Sequence, residues 1–379
     1  MLTKVRLKNF KSQVDLAVDL GRFTAFTGYN AAGKTTVLQS LVFLKQSLSR
    51  NEVTFNDYLL RLGDFGEAVF DHDEDRDIEV EVTLDHDGVA LSYRVTVGTG
   101  GVSEGFSVDG EPAWAWDARS PHSMEPSGRL FLAQAAHGYG GGSYVECGMP
   151  PDQVALHQRF VVDWFENMLY LSSSRGFTKY NYPLMAGKPE PGEVAKRTGE
   201  ATLLEEWLSN LIMYRINEAS RYPKLRPQLD RMRERLGRVG VTINPYVMDG
   251  PSVVIDLSEG ELWVSAVNSG YGINQLVSFV ALGTLLPKGA LVMIEEPEIH
   301  LHPKLQRIVC DILAEIADEG KQVVITTHSE HFLKTLAKRI GAGALDPADL
   351  KAYHFEKRER KAVLSSIDVT DQELLEDLF

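Results

Sequence analysis

Eight residues near the N-terminus, Gly28-Tyr29-Asn30-Ala31-Ala32-Gly33-Lys34-Thr35, leave this chain little freedom. They spell GxxxxGK[ST]. The run follows a short apolar stretch, residues 22–27 (RFTAFT). It opens VLQSLVFLKQSL, in which Val37, Leu38, Leu41, Leu44 and Leu48 recur at helical spacing. The order strand, Gly-rich loop, helix suits the wrapping of phosphates by backbone N–H groups, which needs small residues and permissive φ/ψ. The helix N-terminus then points at the anion. Lys34 can neutralise β/γ oxygens, and the Thr35 hydroxyl can ligate Mg²⁺. Gly28, Asn30, Ala31, Ala32, Gly33, Lys34, Thr35 and Thr36 are the candidate nucleotide-binding residues.

Three later motifs fit the same chemistry. Residues 291–298 (LVMIEEPE) form an apolar strand that ends in paired carboxylates. Glu295 suits the metal and Glu296 the attacking water. Alone, the pair could equally be a solvated acidic turn after a buried strand. Residues 323–328 (VVITTH) place His328 at the end of another apolar strand, where ligands bind in open α/β sheets. From there it can sense the γ-phosphate. Residues 268–275 (NSGYGINQ) put small residues at a helix start, a second anion-prone geometry that by itself is also an ordinary strand-to-helix turn.

Between these motifs the patterning changes. Residues 2–9 and 14–20 alternate as half-buried strands do, and residues 78–109 alternate again with DHDG as a turn. Residues 110–150, rich in Gly, Pro and Ser, read as loops, and HGYGGGSY (137–144) as a connection. Residues 152–172 and 199–239 read as helical, with an irregular stretch between them. Strands are expected at 252–257 and 261–267. The C-terminal third alternates strand and helix (290–295, 303–318, 321–326, 329–340, 351–356), the pattern of a parallel sheet flanked by helices.

The bulk numbers set limits. Net charge is −14, so nucleic acid would have to be met by a local basic patch. Leu211 to Gly240 offers one, with eight Lys or Arg against three Asp or Glu and with Arg231, Arg233, Arg235 and Arg238 close together. An equal reading is a solvated helix face paired with acids. The two cysteines, Cys147 and Cys310, are far apart in sequence, which argues against a disulfide framework and a Cys-based zinc site. No secretory signal or membrane span is read, and a reducing cytoplasm is the expected compartment.

The four motifs in this order resemble an ABC-type ATPase head: Walker A, signature, Walker B and switch histidine. The wording LKNFKS, FTGYNAAGKTT, SGYGINQLV, IEEPEIHLHPKLQ and ITTHS is similar to the prokaryotic OLD-like and RecF-like AAA-type ATPases of the SMC/ABC superfamily. The resemblance covers about residues 1–50 and 260–335. It departs from the superfamily in SGYGINQ, where LSGGQ is usual, and in Glu295, where Asp is commoner.

That resemblance implies an α/β fold: an ABC-type P-loop head of mixed sheet and flanking helices, with a compact β plus helical insertion. Its lobes would be 1–77 and 252–379. The insertion, 78–251, would open with a β-meander over about 78–110. ATP and Mg²⁺ are the implied cofactors. Two heads would pair as a homodimer, or assemble further, and bury two ATPs. Ser269, Gly270 and Gly272 would contact the partner's γ-phosphate, and Pro297 to His302 would form the D-loop. Gln134 is the Q-loop candidate. Only 51 residues follow His328, too few for a Toprim nuclease domain, so any cutting would fall to an effector or nuclease partner.

Two functions compete. One is an ATPase switch of a DNA-linked system, in antiphage defence or DNA repair. The other is a regulatory ATPase that sequesters or activates a partner protein without nucleic acid. A transporter subunit is disfavoured by the length of the insertion.

Overall fold

The computed structural model describes residues 1–57, 59–117, 130, 132, 150–185, 204–248, 250–371 and 375. Two compact units divide the chain. The first is Met1–Tyr170 with Ala348–Ile367, and the second is Leu171–Pro347 with Asp368–Phe379.

In the first unit a six-stranded antiparallel sheet runs in the order β2-β1-β4-β5-β6-β7. Its strands are β1 (Leu2–Phe10), β2 (Gln13–Asp19), β4 (Ile78–His86), β5 (Val89–Gly98), β6 (Gly101–Val108) and β7 (Glu111–Asp117). The period-two pattern is visible in the burial. Ile78, Val80, Val82 and Leu84 on β4 face the core, as do Leu91, Tyr93, Val95 and Val97 on β5. Because β4 pairs with β1, residues 78–117 extend the sheet that residues 2–19 begin. The β4–β5 turn is the expected one, with Asp87 and Gly88 both at positive φ (54° and 86°). Strand β7 corrects the reading of 110–150 as loop throughout. The signal was Asp109-Gly110, a second hairpin dipeptide at φ 50° and 83°.

The same unit holds β3 (Phe23–Gly28), which runs parallel to β15 (Leu350–Arg358); β15 in turn pairs antiparallel with β16 (Lys361–Ser366). Strand β16 was not expected. It is mostly exposed and carries little apolar alternation, as edge strands often do. Helix α1 (Lys34–Arg50) follows β3; the same unit holds a short helix α2 (Phe65–Ala68) and helix α3 (Pro151–Glu166). α3 ends at Glu166, short of the expected 172, and β8 (Leu169–Leu171) follows.

In the second unit β13 (Leu291–Glu295) and β14 (Gln322–Thr326) pair in parallel, every residue buried. Helices α6 (Tyr271–Leu285), α7 (Pro303–Asp318) and α8 (Glu330–Gly341) lie before, between and after them in sequence. α7 buries Val309, Ile312, Leu313 and Ile316 on one stripe. Each such side chain contributes about 1.5–3 kcal/mol. A small antiparallel sheet joins β9 (Tyr182–Pro183), β10 (Thr242–Met248), β11 (Ser252–Ser258) and β12 (Trp263–Ser265). The expected helix over 199–239 is two helices, α4 (Leu204–Arg221) and α5 (Arg226–Arg238). Pro223 supplies no N–H and pushes Tyr222 to an extended conformation, which breaks the run.

Candidate functional site

The phosphate loop belongs to the first unit. β3 delivers Gly28 at φ 131°, where a Cβ would lie 2.1 Å from the Phe355 carbonyl oxygen on β15. Gly33 sits at φ 103°, with the Gln13 Nε2 only 2.7 Å from where its Cβ would be. Only glycine fits both places. Asn30 and Ala31 are exposed and Ala32 is buried, its N–H donating to the Tyr29 carbonyl at 3.2 Å. Lys34 is 5 % exposed and folds back over the loop, its Nζ donating to the carbonyls of Gly28 and Tyr29, both at 2.9 Å. No side chain caps the start of α1 and no acid lies in its first turn. The first amides of the helix and its dipole therefore remain suited to an anion. Thr35 is half-buried; Thr36 is buried, and its N–H bonds to the Gly33 carbonyl. The loop geometry fits a polyphosphate.

The carboxylates belong to the second unit. Glu295 ends β13 opposite Thr326, is 8 % exposed, and its Oε2 accepts from the Ser173 amide at 3.3 Å. Glu296 leaves the strand at φ +43°, unusual for a residue with a side chain, while its N–H donates to the Thr326 carbonyl at 2.9 Å. His328 Nε2 lies 3.6 Å from Glu296 Oε1, and both side chains are about one-third exposed. The structure thus brings together two residues chosen from motifs 32 positions apart. Each unit by itself offers an oxygen of the hard kind that Mg²⁺ prefers, the Thr35 hydroxyl in the first and the Glu295 carboxylate in the second.

One anchor of His328 was missed in the sequence. Glu298 is buried, and its Oε1 accepts from the Thr327 hydroxyl at 2.8 Å and from the His328 amide at 2.6 Å. Burial pushes its carboxyl above the usual range, against those hydrogen bonds. Ser329, which caps α8, also donates its hydroxyl to Gln306 at 2.7 Å. The D-loop segment and the histidine loop are therefore locked to each other.

The NSGYGINQ motif divides by direction. Ser269 donates to the Ala266 carbonyl at 2.8 Å, and Gly270 is exposed with open space where a Cβ would be. At Gly272 a Cβ would lie 2.5 Å from the His300 carbonyl oxygen, so the close approach of the D-loop backbone requires glycine there. Asn274 and Gln275 turn inward. Asn274 accepts from the Phe177 amide at 2.6 Å and donates to the Phe177 carbonyl at 2.8 Å; Gln275 donates to the Ser173 carbonyl at 3.2 Å. Between these anchors lies Arg175, 7 % exposed, donating to the carbonyls of Glu295 (2.5 Å) and Glu296 (2.9 Å). Burial brings its guanidinium down to about 10, leaving it charged at neutral pH. Its sequence signal was only an Arg after the apolar LYL.

Two expectations fare differently. Gln134 lies outside the described residues. Four arginines of the basic stretch have acidic neighbours: Arg235 is 3 % exposed and pairs with Glu319 at 2.8 Å, Arg238 pairs with Glu315 at 2.7 Å, Arg231 with Glu319 at 3.1 Å and Arg233 with Asp230 at 4.0 Å. Arg235 is thus buried in its ion pair, while Arg231 and Arg233 keep about half of their side chains exposed. Among the described residues no helix is long and apolar enough to cross a membrane.

Comparison with known proteins agrees with these motifs. The chain is 25 % identical to the OLD nuclease of Thermus scotoductus over 356 residues, which is 88 % of this chain and 60 % of that protein. The chain thus spans well under two-thirds of that relative's length. An SMC head bound to the C-winged helix domain of ScpA superposes with a TM-score of 0.54 at 12 % identity, covering 97 % of this chain and 98 % of the other. The SMC head domain with an extended coiled coil derived from Pyrococcus furiosus, bound to the C-terminal domain of ScpA, gives 0.54 at 13 % identity, covering 99 % and 98 %. At such identities the likeness establishes the fold, a mixed α/β ABC-type head of the SMC kind. The AAA ATPase domain family matches residues 1–102 and 214–333, more than half of the chain. The chain belongs to the AAA ATPase domain family.

Proposed function

We propose that this ATPase binds ATP with Mg²⁺ and works as a slow dimerisation switch that acts on a partner protein. Gly28 to Thr36 hold the phosphates, with Lys34 neutralising the β/γ oxygens. Thr35 and Glu295 serve the metal. Glu296 orients and deprotonates the attacking water, and His328 reads the γ-phosphate. Ser269 and Gly270 meet the nucleotide of a second copy. The observation that carries this reading is the Glu296–His328 pair, 3.6 Å apart at the end of a buried parallel strand. A base and a phosphate sensor side by side suit hydrolysis better than binding alone.

The test is Glu296→Gln. It keeps shape and hydrogen bonding and removes the base. Turnover is expected to fall about 100-fold or more, with ATP affinity retained. A stable dimer should accumulate with ATP, seen as a doubled native mass. Undiminished ATPase activity in this variant would sink the assignment.

The partner is proposed to be a protein effector, a nuclease included. One observation weighs against DNA contact through residues 226–238, the ion-paired arginines described above. A DNA-linked role in defence or repair remains the second reading, supported by the 25 % identity to an OLD nuclease. DNA binding that weakens steeply with salt and is lost in an Arg231→Ala/Arg233→Ala variant would restore it.

A further inference from the structure

Glu296 is held in a left-handed backbone conformation, φ +43°, which a side-chain-bearing residue adopts only when its surroundings fix it. Its main chain is fixed from both sides. The Thr326 carbonyl and hydroxyl accept its N–H at 2.9 and 3.3 Å, and its carbonyl accepts from the Ile299 N–H at 3.0 Å and from the Arg175 Nη2 at 2.9 Å. The other arm of the same guanidinium, Nη1, donates to the carbonyls of Glu295 at 2.5 Å and Ser172 at 2.9 Å. One planar fork therefore spans the two residues that carry the proposed chemistry.

Arg175 is itself held from helix α6. Its Cζ lies 5.3 Å from the centroid of the Phe279 ring. The segment around it is clamped at Ser173 by Gln275 and at Phe177 by both ends of the Asn274 amide. Gly176 stands at φ 112°, where a Cβ would lie 2.8 Å from the Asn274 Oδ1, so the segment closes tightly on the helix. Asn274 and Gln275 belong to the same motif whose Gly270 is exposed.

We infer that Arg175 is a positioning residue for Glu296, and that it links the helix bearing the NSGYGINQ motif to the water-activating carboxylate. The inference rests on the ATPase reading of Glu296. A shift of α6, as when its N-terminal loop engages a second copy, reaches the carbonyls of Glu295 and Glu296 through Asn274, Phe177 and Arg175. Hydrolysis is thereby tied to the state of the loop. The guanidinium makes no contact with the reacting atoms; it sets where the Glu296 side chain points.

The experiment compares wild type, Arg175→Ala, Arg175→Lys, Asn274→Ala and Arg175→Ala/Asn274→Ala. Turnover, binding of a fluorescent non-hydrolysable ATP analogue and hydrogen exchange within 296–299, at the amides of Glu296, Glu298 and Ile299, are measured for each. Arg175→Ala is expected to lower kcat about 30-fold or more while analogue affinity stays within about threefold. Arg175→Lys, whose ammonium cannot span both carbonyls in one plane, should fall between and serves if the alanine variant does not fold. Exchange at 296–299 should quicken in both. Asn274→Ala should cost about tenfold, and the double variant little more than Arg175→Ala, because both act along one path. A kcat within threefold of wild type in Arg175→Ala, or unchanged exchange at 296–299, overturns the positioning role. Losses that simply multiply in the double variant overturn the link to α6. If the wild type itself does not hydrolyse ATP, the ATPase reading fails, and the exchange at 296–299 still decides for or against Arg175.

Discussion

Lys34 and Arg175 are both buried cations whose donors end on main-chain carbonyls, but they reach very different distances along the chain. Lys34 grips the carbonyls of residues five and six positions away. Arg175 grips carbonyls 120 and 121 positions away. The phosphate loop is a local object. Its shape follows from a strand end, two glycines at positive φ and a helix start, all within a few residues. The carboxylate end is an assembled object. β13, β14, the D-loop, the 172–178 segment and α6 each contribute one or two contacts, and no single stretch contains the geometry. A locally built anion cradle can be recognised as a motif and lost by one substitution. An assembled site can be weakened from many positions remote in sequence.

The contrast can be broken at its local end first. Lys34→Ala leaves the phosphate charge uncompensated, and ATP affinity is expected to fall about 100-fold or more, since a hydrogen bond to a charged group is worth roughly 1.5–3 kcal/mol and Lys34 has two or more to make. Titration calorimetry with ATP would show it. Unchanged affinity would mean that Lys34 only ties its own loop.

The assembled end is sharpened by a pair of glycines in one motif. Gly272→Ala forces a methyl to within 2.5 Å of the His300 carbonyl oxygen, backbone that cannot swing aside. A loss of about 1–3 kcal/mol of unfolding free energy is expected. Gly270→Ala meets open space at φ −55°, and should change stability by less than about 0.5 kcal/mol. Equal effects at the two positions in urea denaturation would show that the D-loop does not press on this motif.

The smallest effect separates architecture from chemistry within the first unit. Lys45, on the phosphate-loop helix, donates to the carbonyls of Phe165, Glu166 and Met168 at 2.7, 3.0 and 2.8 Å, closing the C-terminal end of α3. Burial lowers its ammonium from the ordinary value to about 7. A folded-state value below the unfolded one means that the unfolded chain binds the proton more readily between about 7 and 10.5. Stability should therefore rise with pH across that window and be lost as pH falls through about 7. Between pH 7 and 8 the gain is about 1 kcal/mol. Denaturant midpoints should show this slope in wild type and not in Lys45→Met. A slope that survives the substitution assigns it to another group.

Much of the fold was legible because burial and backbone geometry leave local marks. The meander at 78–109 announced itself by alternation and by Asp87-Gly88. The helix at 303–318 did so by its apolar stripe. Strand β7 was passed over because Gly, Pro and Ser nearby masked the Asp109-Gly110 turn, and β16 because an exposed edge strand need not alternate. The break between α4 and α5 follows from Pro223, a local cause outweighed in the reading by the helical spacing around it. Glu298 and Arg175 could not be chosen from sequence. A glutamate beside two others, and an arginine in an irregular stretch, carry no sign of the carbonyls and amides that distant segments bring to them.

By itself the sequence determined that a strand, a glycine loop and a helix would follow one another around Lys34, and that Glu295, Glu296 and His328 would lie at the ends of buried strands, because such features depend on neighbours within one turn or one strand. Only the tertiary structure decided that Glu296 and His328 lie side by side, that Glu298 holds the histidine loop, and that Arg231, Arg235 and Arg238 pair with Glu315 and Glu319. It also turned Asn274 and Gln275 inward onto the segment that carries Arg175. Hydrogen bonds and ion pairs between remote segments depend on where packing carries each chain, and period and composition do not encode that one residue at a time.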